Sequence, residues 1–68
     1  MNKIRVAIVG LGVVGVKRKL FLSKNKKYLI KYVSDIKFKK EFTKNNITYY
    51  KNYKEIPFQN IDAVFISL

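Results

Sequence analysis

Gly10-Leu11-Gly12-Val13-Val14-Gly15 sets three glycines at the spacing GxGxxG, directly after the apolar run Ile4-Arg5-Val6-Ala7-Ile8-Val9. A short run of that kind, ended by glycine, reads as a strand buried on both faces of a parallel sheet. Val13 to about Ser23 then reads as a helix. Val13, Val16 and Leu20 share one face, with Val14 and Phe21 beside them, while Lys17 and Lys24 turn towards water. Asn25-Lys26-Lys27 suits the helix end. Each glycine in such a turn has its own physical use. Gly10 permits the tight exit from the strand, Gly12 keeps a Cβ out of the way of an approaching anion, and Gly15 lets the helix close on the strand. The helix start aims unpaired N–H groups and the positive end of its dipole at the same point. The pattern is that of a pyrophosphate cradle made from backbone, so Leu11, Val13 and Val14 are free to be apolar.

The residues that follow extend the pattern. Tyr28 to Ser34 is β-branched and aromatic and reads as a second strand. Asp35 ends it, 20 residues after Gly15, where a carboxylate accepts hydrogen bonds from an adenosine ribose. A carboxylate there favours NAD, because it repels a 2′-phosphate. Asp35 also suits the N-cap of a following helix. Lys37 is near enough in sequence to pair with a 2′-phosphate, which keeps NADP open. Lys37 to Lys44 reads as a short helix with Phe38 and Phe42 facing the sheet. Asn45-Asn46 reads as a turn and Ile47 to Tyr50 as a brief third strand. Lys51 to Ile56 has room for one helical turn before Pro57. Ala63 to Ser67 reads as a fourth strand.

Strands alternating with helices imply parallel pairing and right-handed crossovers. The expected fold class is α/β: a partial Rossmann (doubly wound) half-domain whose parallel sheet of about four strands has the order 3-2-1-4. A complete dinucleotide-binding domain has two such halves and six strands. Residues 1–68 are therefore expected to be the N-terminal part of one, with the rest of that domain and a substrate domain outside this chain. The outer edge of the fourth strand is expected to be unpaired and apolar, which favours self-association.

Composition narrows the chemistry. The chain holds no cysteine and no histidine, which removes disulfides, thiol nucleophiles and the commonest general base and metal ligand. Glu41, Glu55 and Asp62 show no paired-carboxylate spacing; Asp62 is expected in a loop. No catalytic or metal-binding residue is assigned. The net charge of +11 is the unusual bulk property. Nucleic-acid sites favour arginine for bidentate contacts, yet here thirteen of the fifteen cations are lysine, spread along the whole chain. The charge is read as a solvated surface rather than a nucleic-acid footprint. Lys17 and Arg18 are read as solvated helix residues, since the backbone already satisfies an anion. Tyr49, Tyr50 and Tyr53 are read as packing residues rather than a stacking platform. No apolar stretch reaches the roughly 20 residues of a membrane span. The start lacks a signal-peptide layout, so a cytoplasmic location is expected.

The segments KIRVAIVGLGVVG, YLIKYVSDIK, FTKNNITYYKNYKEI and IDAVFISL together resemble the N-terminal half-domain of the glucose-fructose oxidoreductase / inositol dehydrogenase family. The resemblance spans nearly the whole chain. It implies an NAD(P)-dependent oxidoreductase acting on a sugar or cyclitol hydroxyl, with NAD as cofactor and NADP as the alternative. It places Gly10, Gly12 and Gly15 on the pyrophosphate, Asp35 on the ribose and Ile36 near the adenine. Ser67 and Leu68 fall at the strand end that lines the cofactor cleft. The family's Glu-Lys-Pro lysine and its later His or Asp would follow residue 68, so these residues alone are expected not to catalyse. Lys17-Arg18-Lys19 stands where many members carry a histidine, which leaves the subfamily open. Diaminopimelate and homoserine dehydrogenases open similarly and remain alternatives, as does a stand-alone nucleotide-binding module.

Overall fold

The computed structural model describes residues 3–67; Leu68 lies outside them. The chain runs β1 (Ile4–Val9), α1 (Val13–Lys24), β2 (Tyr28–Ser34), β3 (Phe42–Lys44), β4 (Ile47–Tyr50) and β5 (Ala63–Ile66). Two 3-10 turns, Tyr53–Glu55 and Phe58–Asn60, lie between β4 and β5. The strands form one five-stranded sheet of order β3-β4-β2-β1-β5. β1 pairs in parallel with β2 and β5, β2 pairs in parallel with β4, and β3 is antiparallel to β4. The chain is mixed α/β, with a mostly parallel sheet and, among the described residues, one α-helix. That helix is too short and too polar to cross a membrane.

This departs from the expected four-stranded, doubly wound arrangement of order 3-2-1-4. The second helix, expected over 37–44, does not form, and a fifth, antiparallel strand takes its place. The local reason is the turn. Asn45 and Asn46 both adopt positive φ, 52° and 65°, the conformation of a two-residue hairpin turn that matches strand twist. Asn is among the few residues that tolerate it. Phe42-Thr43-Lys44 then pairs with Ile47-Thr48-Tyr49 in direct register. The Phe42 and Tyr49 rings stack at 4.6 Å, and the Thr43 and Thr48 hydroxyls meet at 3.0 Å. These cross-strand pairs outweigh a helix of about two turns, which is too short to form without strong packing. Asp35 accordingly caps no helix. Its Oδ1 accepts from the Lys37 amide at 2.9 Å, and its carbonyl accepts from the Phe38 amide at 3.1 Å.

β1 lies between β2 and β5, and its Val6, Ala7 and Ile8 are fully buried. Val6 and Ile8 join Leu22, Ile30, Val33 and Tyr49 in the core beneath α1. A bulge interrupts the β1–β2 register between Val6 and Ala7, leaving Lys31 without a partner on β1. The helix packs through a different stripe from the expected one. Gly15 and Leu22 are its buried residues, whereas Val13, Val16, Leu20, Val14 and Phe21 are exposed. Close approach at Gly15 fixes the helix rotation, and the apolar face of the wheel turns outward.

The connection 51–62 carries the chain from β4 to β5 and buries Ile56. Asn60 Nδ2 donates to Tyr32 Oη at 3.4 Å. Asp62, in the loop as expected, receives three hydrogen bonds from Arg5: from N at 2.8 Å, from Nε at 3.1 Å and from Nη2 at 3.0 Å. This clamp fixes β5 beside β1 and holds the Asp62 carboxyl down at about 2, the Arg5 side-chain bonds being the largest cause.

Candidate functional site

The glycine turn joins β1 to α1 at the carboxyl ends of the parallel strands, where open α/β sheets take ligands. Gly10 has φ 92°, a conformation that favours glycine, and its amide donates to the Ser34 carbonyl at 2.8 Å. A Cβ on Gly15 would collide with the Gly10 carbonyl oxygen and stand 3.5 Å from Ser67 Cβ. Both glycines are thus demanded by the fold. Gly12 is not. Its φ of −77° and ψ of −162° are ordinary extended backbone, and a Cβ there meets no atom within 4 Å.

Gly12 is the N-cap of α1, with no side-chain cap and no acidic residue in the first turn. The first bond into the helix is the Val16 amide to the Gly12 carbonyl, at 2.9 Å. The amides of Val13, Val14 and Gly15 precede it and have no intrahelical acceptor. Acidic, amide and hydroxyl side chains are favoured at this position, as is glycine; with Gly12 there, no side chain caps the donors at the helix start.

Asp35 closes the turn from the side of β2. Its Oδ2 accepts from the Leu11 amide at 2.5 Å, and its own amide donates to the Tyr50 carbonyl at 3.0 Å. The Lys37 ammonium donates to the Leu11 carbonyl at 2.8 Å. Asp35 and Lys37 together grip both polar groups of the Leu11 backbone. The Lys37 amide bond is the largest cause holding the Asp35 carboxyl below its ordinary range; the Leu11 amide and the Lys37 charge act the same way, and partial burial opposes them. The carboxylate therefore stays ionised at neutral pH. Its two bonds leave about two of four lone-pair sites for hydroxyl donors.

A cleft of about 380 Å³ opens here. Gly10, Gly12, Ser34 and Asp35 line it from the turn and β2, Ile36 from the loop beyond, and Ser67 from beyond β5. The expected site residues Gly10, Gly12, Asp35, Ile36 and Ser67 are thus brought together. Gly15 lies beneath the turn, and Leu11 is half-buried against the core. Val13 is exposed at the helix start, and Val14 lines a separate groove with Phe21 and Phe65. Lys51 and Tyr53 also line the cleft, whereas the sequence points to Tyr53 only as a packing residue and does not single out Lys51. Both follow β4, a parallel strand, and that position was the available signal. Arg18 is not simply solvated. Its Nη1 donates to the Ile66 carbonyl at 3.3 Å and to Ser67 Oγ at 3.2 Å, tying α1 to the end of β5.

The residues fit the adenosine diphosphate half of a dinucleotide. They offer backbone donors for phosphate, an ionised acceptor for ribose hydroxyls and an apolar margin for a base. No family model, no curated protein and no solved structure matches this chain.

Proposed function

We propose that this chain binds the adenosine diphosphate half of NAD, with NADP as the alternative, as the cofactor-binding portion of an NAD(P)-dependent oxidoreductase. The observation that carries the reading is Gly12. Neither conformation nor packing within the chain asks for glycine there, so the open space is explained by what approaches it from outside. A pyrophosphate at the Val13, Val14 and Gly15 amides needs that approach. Asp35 accepts from the ribose hydroxyls, and Ser67 borders the same cleft. The reading takes β4, β2, β1 and β5 as the parallel core of one half of a doubly wound domain, with the β3–β4 hairpin where a second helix was expected.

When bound, the nicotinamide supplies hydride transfer; these residues bind and orient the cofactor. A sugar or cyclitol hydroxyl is the proposed substrate class, resting on the family resemblance. Isothermal titration with NAD, NADP and ADP-ribose tests the proposal. The expected result is saturable binding of NAD and ADP-ribose, with NADP weaker because Asp35 meets its 2′-phosphate. Absence of binding for all three would remove the reading.

A further inference from the structure

α1 carries most of its apolar side chains away from the sheet. Gly15 and Leu22 face the core, whereas Val13, Val14, Val16, Leu20 and Phe21 are exposed, Phe21 at 65%. A helix packed on its own sheet turns its apolar stripe inward, and an exposed apolar patch rimmed by polar groups marks an interaction site. Val14, Lys17, Arg18 and Phe21 stand at i, i+3, i+4 and i+7, along one flank of α1. With Leu22, Tyr28 and Phe65 they line a groove of about 410 Å³ between α1 and β5. Phe21 also walls a second hollow, of about 420 Å³, with Lys24, Asn25 and Lys26. The two hollows meet at Phe21 and follow α1 from Val14 to Lys24, about 15 Å of helix.

The charge along this channel has one sign. Lys17, Arg18, Lys24 and Lys26 line it, and no acid does. Arg18 is held as part of the wall, its Cζ 6.0 Å from the centre of the Phe65 ring and its Nη1 bonded to the Ile66 carbonyl and Ser67 Oγ. Among the described residues the one ion pair is Arg5–Asp62, so no acid of the chain pairs with Lys17 or Lys24. The other acids are elsewhere. Asp35 binds the Leu11 and Lys37 amides. Burial, then the charges of Glu41 and Glu55, push the Tyr50 hydroxyl up, which sets those two acids near β4. A second copy presenting the same face would set cations against cations. A flat bilayer does not fill a concave channel, whereas the edge of one helix does.

We infer that the channel between α1 and β5 docks an acidic amphipathic helix of another protein, its apolar stripe against Val14, Phe21 and Phe65 and its carboxylates at Lys17 and Lys24. Helix-in-groove recognition takes its anchors at i, i+3, i+4 and i+7. The channel shares no lining residue with the cleft at the glycine turn, so this inference and the dinucleotide reading fail separately. Fluorescence anisotropy of a labelled peptide tests it. The probe has about 16 residues, a stripe of leucines at helical spacing and glutamates on the opposite face; a control has the same residues shuffled so that no stripe forms. The full chain is expected to bind the probe at least about tenfold more tightly than the control, with affinity falling as salt rises. Phe21→Ser and Lys17→Glu are each expected to weaken the probe about tenfold, and Phe21→Ser leaves the NAD titration as in wild type. Should Phe21→Ser fail to fold, Lys17→Glu and the shuffled control still decide. Equal affinity for probe and control reduces the effect to net charge and overturns the inference, as does wild-type affinity in the folded variants. Absence of probe binding also overturns it; Phe21-dependent binding to phosphatidylglycerol vesicles, or Phe21-dependent self-association in sedimentation, would then give the face to a membrane or to a second copy.

Discussion

Gly10 turns the chain at φ 92°, Gly15 admits the Gly10 carbonyl where a Cβ would stand, and Gly12 faces open space. Substitution separates these duties. Gly15→Ala is expected to lower stability by about 1–3 kcal/mol, as overpacking of a tight contact does, measurable as a fall in the denaturation midpoint. Asp35→Asn is expected to weaken NAD about tenfold and to narrow the gap to NADP, because the neutral side chain no longer repels a 2′-phosphate; titration of both cofactors checks this. Asp62 governs acid stability. Its folded pKa of about 2 lies below the unfolded value of ~3.9. Its contribution is therefore fully present above the unfolded value and lost as the pH falls through about 2. Wild type is expected to unfold at a higher denaturant concentration than Asp62→Asn at pH 6, with the difference closing between about pH 4 and pH 2. A constant difference down to pH 2 would assign the effect to something other than the Arg5 clamp.

The elements show which parts of the fold were legible and which were not. β1, the glycine turn and α1 could be read because an apolar run, three spaced glycines and a helical stretch follow each other without conflict. The rotation of α1 could not, since its contact face is set by Gly15, and a glycine contributes nothing to apolar periodicity. Phe38 and Phe42 at i,i+4 suggested a helix, but the same rings also serve a hairpin: Phe42 stacks on Tyr49, and Phe38 meets both edge-on at 5.5 Å. The missed signal was Asn45-Asn46 between Phe-Thr-Lys and Ile-Thr-Tyr, a two-residue turn between alternating segments. The site divides similarly. Gly10, Gly12 and Asp35 lie in one local motif, whereas Lys51, Tyr53 and the Arg18 contact depend on which strand ends come together. Asn46→Val is expected to destabilise the chain by about 1–2 kcal/mol, because a β-branched residue resists positive φ. Asn46→Gly is expected to leave stability equal or higher. Thermal unfolding of both variants checks the hairpin against the helix first expected from the sequence.

Across the whole molecule, fifteen cations face four anions, and the two sheet edges differ. Lys39, Lys40 and Lys44 accompany the β3 edge, a charge guard against pairing. β5 reads Ala-Val-Phe-Ile without a charge, and Val64 and Ile66 are 41% and 60% exposed. We propose that copies associate through β5, more strongly as salt screens the net charge. Sedimentation velocity is expected to show mass rising with concentration and salt for wild type, and a monomer for Ile66→Lys. The central claim, that the turn is shaped for a ligand rather than only for the fold, is tested most directly by Gly12→Ala, read in one experiment for thermal unfolding and for NAD affinity. The account predicts an unfolding midpoint within a few degrees of wild type, since the added Cβ meets no atom within 4 Å, together with at least about a tenfold loss of affinity from obstructed phosphate approach. Unchanged affinity, or a loss of affinity that merely follows unfolding, would contradict it.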